Sequence, residues 1–193
     1  MAPSGTLVLV VGSSGSGKSA LLRQARTLHP EMVFPVSCTT RERRPLEVEG
    51  ENYYFLSEDE FSARIAAGDF LEWAEYGGYR YGTLRSEVLP ALHEGGVVLR
   101  EVDVQGARHL RELLPEVRIV VIYIHAGSWE SLAGRIRARA PITDMDLEAR
   151  RLRYESEQEF LPEATYVIEN PDGKFREADT AFASLLAEVQ ASA

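Results

Sequence analysis

Eight residues near the N-terminus constrain the fold more than any others. Gly12-Ser13-Ser14-Gly15-Ser16-Gly17-Lys18-Ser19 follows the apolar run Thr6 to Val11 and leads directly into the helix-forming Ala20-Leu21-Leu22. A glycine-rich turn between a buried strand and a helix lets successive backbone N–H groups converge on phosphate oxygens, and this spacing is that of a phosphate loop. The N-terminus of the following helix adds about half a positive charge. Lys18 has the reach for β- and γ-phosphates, and the Ser19 hydroxyl suits Mg²⁺. Lysine occurs only at Lys18 and Lys174, with arginine at every other basic position. The loop thus holds a compact ammonium in a chain that otherwise uses the guanidinium.

The remaining apolar runs match the sheet such a loop requires. Thr6–Val11, Met32–Ser37, Val97–Val102, Ile119–Ile124 and Tyr166–Glu169 are short and rich in Val, Ile or Leu, as strands buried on both faces are. Helical patterns lie between them. Lys18 to Leu28 ends before Pro30, a capping box at Ser57-Glu58-Asp59-Glu60 opens a helix that stops at Gly68, and Glu87 to Glu94 stops at Gly95-Gly96. Ala178, Ala181, Phe182, Leu185, Leu186 and Val189 form one stripe of a final helix. The pattern predicts an α/β fold, a parallel phosphate-loop sheet with helices on both faces.

Two stretches interrupt this alternation. The polar segment from Ser37 to Arg85, rich in aromatics and turn glycines, predicts a small β-rich insertion; Ser128 to Arg153, dense in arginine and broken at Pro141, predicts a helical hairpin. The expected organisation is core over 1–36, 87–127 and 154–193, with insertions over 37–86 and 128–153. Twelve of the 21 basic residues fall in these two stretches, although the chain as a whole carries a formal charge of −9. An acidic protein with local positive charge suits a small polyanion better than a nucleic acid or an anionic membrane surface. No apolar run approaches the roughly 18 residues of a membrane helix. One cysteine, Cys38, excludes an internal disulfide. A cytoplasmic location is expected, with no nucleic-acid or membrane partner.

Further motifs narrow the chemistry. Val36-Ser37-Cys38-Thr39-Thr40-Arg41-Glu42-Arg43-Arg44-Pro45 precedes Glu47-Val48-Glu49-Gly50-Glu51-Asn52-Tyr53-Tyr54-Phe55; then come Phe70-Leu71-Glu72-Trp73-Ala74, Tyr79-Arg80-Tyr81-Gly82-Thr83 and Val102-Asp103-Val104-Gln105-Gly106-Ala107. In this order and at these intervals the chain resembles the guanylate kinases, which phosphorylate GMP with ATP. The resemblance implies that Arg41, Arg44, Tyr53 and Tyr81 hold the GMP phosphate. It places Ser37, Glu72, Thr83 and Asp103 around the guanine and ribose. It puts Glu101 beside Mg²⁺ with Ser19, partly through water. Arg135, Arg139 and Arg150 match lid arginines that close on ATP, and Asn170 matches a residue near the adenine. Lys18, Arg41, Arg135 and Arg150 are the expected catalytic set. Gly12 to Ala20, with Arg139 and Asn170, would bind ATP.

Physical chemistry supports the same roles. A monophosphate carries about −1.5 to −2 charges near neutral pH, and paired arginines fork its oxygens. Glu72 offers two acceptors to the adjacent N1–H and N2–H donors of guanine. The sequence departs from the family in the lid, where Arg139 is followed by Ala140-Pro141-Ile142 rather than glycine, and where Arg150 and Arg151 are adjacent. Two other functions remain open at this level. One is a related small kinase acting on a phosphorylated sugar, which has no need of the guanine set. The other is a non-catalytic guanylate-kinase-like binding module, for which the phosphate loop need not be intact.

Overall fold

In a computed structural model, residues 4–139 and 141–193 are described. The core is a four-stranded parallel sheet of order β6-β1-β7-β8, with β1 over Thr6–Val11, β6 over Val97–Glu101, β7 over Arg118–His125 and β8 over Tyr166–Glu169. All of β1 is buried. Its side chains alternate: Val8 and Val10 enter one core with Leu21 and Ala25, while Leu7, Leu9 and Val11 enter the opposite one. The first core is closed by α1 (Lys18–Leu28) and α7 (Phe175–Ala191), whose predicted stripe contributes Ala178, Phe182, Leu185, Leu186 and Val189. The second is closed by α3 (Arg85–His93) and α4 (Val104–Leu113), with Phe160 fully buried beside them. Helices therefore cover both faces, as the apolar runs require. Among the described residues, no helix is long and apolar enough to cross a membrane.

A second sheet, of order β3-β2-β5-β4, is built from β2 (Ser37–Thr39), β3 (Tyr54–Phe55), β4 (Phe70–Tyr76) and β5 (Tyr79–Leu84). Here α2 (Glu58–Ala67) opens on Ser57 in a full capping box and ends on Gly68 in the left-handed conformation. Its Phe61 stacks on Phe70 and packs with Cys38 and Leu84. Gly82 is required here because a Cβ would come within 2.7 Å of the Phe70 ring. Phe70 faces α2 and Leu71 joins the main sheet's second core, while a bulge between Phe70 and Glu72 pairs them with the successive residues Leu84 and Thr83 and so turns Glu72 to the face opposite Phe70.

One expected strand is corrected. Of the expected strand Met32–Ser37, the core sheet receives only an isolated bridge from Val33 to Val98, in which Val33 donates to Val97 O and accepts from Leu99 N, and Ser37 begins β2 instead. Pro35 cannot donate to a ladder, and the next residue, Val36, gives its N–H to the Glu87 carboxylate instead. The chain crosses to the second sheet at that point. The third structural region is a hairpin of α5 (Trp129–Arg139) and α6 (Asp144–Gln158), the latter capped by Thr143. Leu132, Ala133, Ile136 and Leu147 form its small core.

Candidate active site

Parallel strands deliver their C-terminal ends to one edge, and ligands of such sheets bind there. The loop after β1, the residues following β6 and the turn after β8 meet at that edge. The phosphate loop is kept open by glycines at positive φ: Gly12 at 143°, Gly15 at 93° and Gly17 at 97°. A Cβ on Gly12 would lie 2.4 Å from Ile124 O, and one on Gly17 would lie 2.4 Å from Asn170 Nδ2.

Lys18 begins α1 and folds back into the loop, donating to Gly12 O at 2.5 Å and Ser13 O at 3.2 Å. Glu101 Oε1 lies 3.6 Å away, and Ser19 Oγ donates to Glu101 Oε2 at 3.1 Å. An ammonium, a hydroxyl and a carboxylate thus converge where the loop opens. Ser19 and the exposed Glu101 are hard oxygen donors, and they are few. That set fits Mg²⁺, which binds through one or two protein oxygens with water and phosphate supplying the rest.

Asn170, which the resemblance puts near the adenine, packs against the phosphate loop. It is 2% exposed, and its Nδ2 donates to Ser16 O at 2.7 Å. Its side-chain nitrogen is therefore committed to bracing the phosphate loop. From the lid, Arg135 donates to Asn170 O and to Asp172 Oδ1, both at 2.7 Å. Ser131 and Arg135 together hold the Asp172 carboxyl below its usual range. Arg150 Nη1 donates to Ser14 Oγ at 2.8 Å, whereas its neighbour Arg151 pairs with Glu155 on the exposed side of α6. Arg150 is thus the member of that pair facing the loop. Arg139 ends α5, and its side chain lies outside what is described. Glu157, unassigned from sequence, accepts from Ser13 Oγ at 2.5 Å. A cavity of about 860 Å³ separates the loop from the hairpin, lined in part by Arg135, Arg150 and Arg153.

A larger cleft, about 1040 Å³, joins the loop to the second sheet and is lined by Lys18, Ser19, Ser37, Tyr53, Arg100, Glu101 and Asp103 among others. Strand register explains how distant residues share one face. Ser37 pairs with Thr83 across β2–β5, and Thr83 pairs with Glu72 across β5–β4, so the three form one cross-strand row. Thr39 and Tyr81 form the next row on that face. The Tyr81 and Tyr53 rings meet edge to face at 6.0 Å. Arg41 lies 5.6 Å above the Tyr53 ring and forms a two-bonded pair with Glu47 at 2.8 and 3.1 Å. That guanidinium is the main reason the Glu47 carboxyl sits below its ordinary range. Arg44 is exposed, with its backbone N–H on Glu47. Asp103 caps α4 by accepting from Gly106 N at 2.7 Å.

Thr83 is fully buried, and Glu72 is held by Arg100 Nη2 at 2.5 Å. Arg100, Glu47 and Glu157 are the partners that sequence reasoning missed. Arg100 carried one signal, a charge at the end of an otherwise apolar strand. The Glu47 and Glu157 contacts had none, because spacing alone does not choose a carboxylate's partner.

On the opposite face of the second sheet, Cys38 is fully buried beneath α2. Burial pushes its thiol up to about 11. At pH 8 only about one thiol in a thousand is then ionised, and the thiolate is the reactive form. An aromatic disulfide reagent is expected to label the native protein far more slowly than the denatured chain. Equal rates would place Cys38 outside the packed interface.

Comparison with known proteins gives a concordant result. A guanylate kinase family profile matches residues 4–188. The guanylate kinase of Thermosynechococcus vestitus is 42% identical over 168 residues, 87% of either chain. That of Streptomyces coelicolor is 42% identical over 158 residues, 80% of this chain and 79% of the relative. The crystal structure of guanylate kinase from Anaplasma phagocytophilum superposes with a TM-score of 0.70 at 28% identity, covering 97% of this chain and 87% of that one. Because the match runs through the phosphate loop, the second sheet and the arginine hairpin alike, this chain belongs to the guanylate kinase family.

Proposed function

We propose that the protein transfers the γ-phosphoryl group of ATP to GMP or dGMP, giving ADP and GDP or dGDP, with Mg²⁺ as cofactor in a reducing cytoplasm. The observation carrying this reading is the cleft that runs from the phosphate loop to Ser37 and Arg100, the first in cross-strand register with Thr83 and Glu72 and the second bonded to Glu72. One end suits a nucleoside triphosphate and the other a purine monophosphate.

In this reading the loop amides from Gly12 to Ala20 cradle the ATP phosphates. Lys18 exchanges its loop carbonyls for β- and γ-oxygens, and Ser19 with Glu101 would hold Mg²⁺. That ion, when bound, offsets the phosphate charge that builds during transfer. On the acceptor side, Arg41 exchanges Glu47 for the GMP phosphate, a trade favoured because a phosphate near −2 attracts a guanidinium more strongly than a carboxylate does. Arg44 and Tyr81 join it. Burial raises the Tyr53 phenol, so that side chain remains a neutral donor at physiological pH. Ser37, Glu72 and Thr83 face the guanine edge, and Asp103 the ribose. The acceptor is already an anion, so alignment and charge neutralisation carry the chemistry, with little demand for a general base.

Arg135, Arg139 and Arg150 act from the lid. For Arg135 the exchange begins from Asp172, and for Arg150 from Ser14. Residues 37–86 and 128–153 are read as units that close over the two nucleotides and exclude water. Small-angle scattering is expected to show a smaller radius of gyration with GMP plus a non-hydrolysable ATP analogue. An unchanged radius with binding confirmed by calorimetry would count against closure. The activity itself is tested by ATP-dependent ADP release with GMP, dGMP, AMP, CMP, UMP and ribose phosphates in turn. Turnover with the guanine nucleotides and little with the others is expected; preference for a sugar phosphate, or no turnover at all, would overturn the reading.

A further inference from the structure

One side chain in the cleft wall has no part in the chemistry above. Arg100 lies near the end of β6, where strand alternation sends Leu99 into one core and turns Arg100 toward the other side of the sheet. It lines the cleft between the phosphate loop and the second sheet. Its Nη2 donates to Glu72 Oε1 at 2.5 Å, and the two side chains are only 13% and 16% exposed. Among the described residues its Nη1 is buried without a hydrogen-bond partner, as is Thr83 Oγ1, the direct cross-strand neighbour of Glu72.

An arginine closing the Val97-Val98-Leu99 run is costly to the fold. Burying a guanidinium that makes one bond and leaves another nitrogen orphaned is less favourable than an apolar side chain packed there. A buried donor with no acceptor, beside a carboxylate with oxygen capacity to spare, is complementary to a ligand edge that offers an acceptor next to donors. Guanine has that edge in its O6, N1–H and N2–H. Arginine is also the side chain whose donors most often recognise guanine O6. We propose that Arg100 is a specificity-determining residue: one nitrogen orients Glu72 for N1–H and N2–H, and the other donates to the 6-oxo group. Adenine brings an amino group to that position and opposes donor to donor. The proposal rests on the reading of Glu72 as the guanine carboxylate.

Steady-state kinetics with GMP and IMP, which keeps O6 and N1–H but lacks the 2-amino group, separate the two ideas. R100L is expected to raise KM for both nucleotides by a similar factor of roughly 10 to 100, the scale of one lost charged hydrogen bond. KM for ATP should stay within about twofold, which also shows that the variant is folded. R100K keeps one donor and should recover part of the loss; it carries the test alone if R100L does not fold. An unchanged or lower KM for GMP in either variant would overturn the assignment. So would a loss seen with GMP and not with IMP, because Arg100 would then act only through Glu72. E72Q tests the underlying reading separately: it is expected to penalise GMP more than IMP, and equal penalties would remove the carboxylate from the guanine edge.

Discussion

Lys18→Ala is expected to lower kcat by roughly 10²–10⁴-fold, the scale of removing one or more electrostatic donors from a developing phosphoryl charge, with a much smaller fall in ATP affinity. The asymmetry follows from what each part of the loop does. Backbone N–H groups after Gly12, held by the positive φ of Gly12, Gly15 and Gly17, remain available to ground-state phosphates in the variant. The ammonium is the mobile charge that the loop itself supplies. At rest it sits against Gly12 O and Ser13 O, with Glu101 3.6 Å away. Moving onto β- and γ-oxygens as charge shifts between them is a transition-state role, so its loss appears in kcat. Truncation also removes the ammonium that lies 3.6 Å from Glu101, and losing that competing positive charge is expected to lower the Mg²⁺ concentration needed for half-maximal rate. Near-normal turnover in the purified variant would remove Lys18 from the chemistry.

Glu72→Gln is expected to lower kcat/KM for GMP by roughly 10²–10³-fold and to leave AMP little changed or improved, so the ratio between them shrinks. In the proposed reading the wild-type carboxylate accepts from N1–H and N2–H of guanine, whereas AMP would set the adenine N1 lone pair against a negative charge. Arg100 makes the effect of the variant directional. Its Nη2 requires an acceptor at the Oε1 position, so the glutamine amide turns its oxygen toward Arg100. The amide NH₂ then faces the 2-amino N–H of guanine, donor against donor, a clash that IMP escapes. Arg44→Ala is the control: Arg44 is exposed and assigned to the phosphate alone, so it should weaken GMP and AMP in proportion. Equal losses of GMP and AMP activity in the Glu72→Gln enzyme would make Glu72 structural.

Much of the architecture was legible because short-range rules govern it. The strand–loop–helix spacing around Lys18, the Ser57 capping box and the stripe from Ala178 to Val189 each depend on residues within a few positions of one another. Each appears where expected, except that Ala181 of the stripe is exposed. Met32–Ser37 shows the limit of that reasoning. Its residue types suit a buried strand, yet Pro35 withholds a ladder donor, and the competing partner, the carboxylate of Glu87, lies 51 residues away. Nothing local signals such a competitor.

The candidate site divides in the same way. By itself the sequence determined a parallel α/β core, a phosphate-binding loop and the residue types available at each position, since these follow from periodicity, glycine placement and chemical identity. Only the tertiary structure decided the pairings. Arg41 meets Glu47, Asn170 braces Ser16, Arg150 rather than Arg151 faces the loop, and Arg100 holds Glu72. A charge finds its partner through strand register and helix rotation, and a one-residue change in either moves a side chain to another face. Those offsets are set by how whole elements pack, which is why the role of Arg100 appears only when β4, β5 and β6 are brought together.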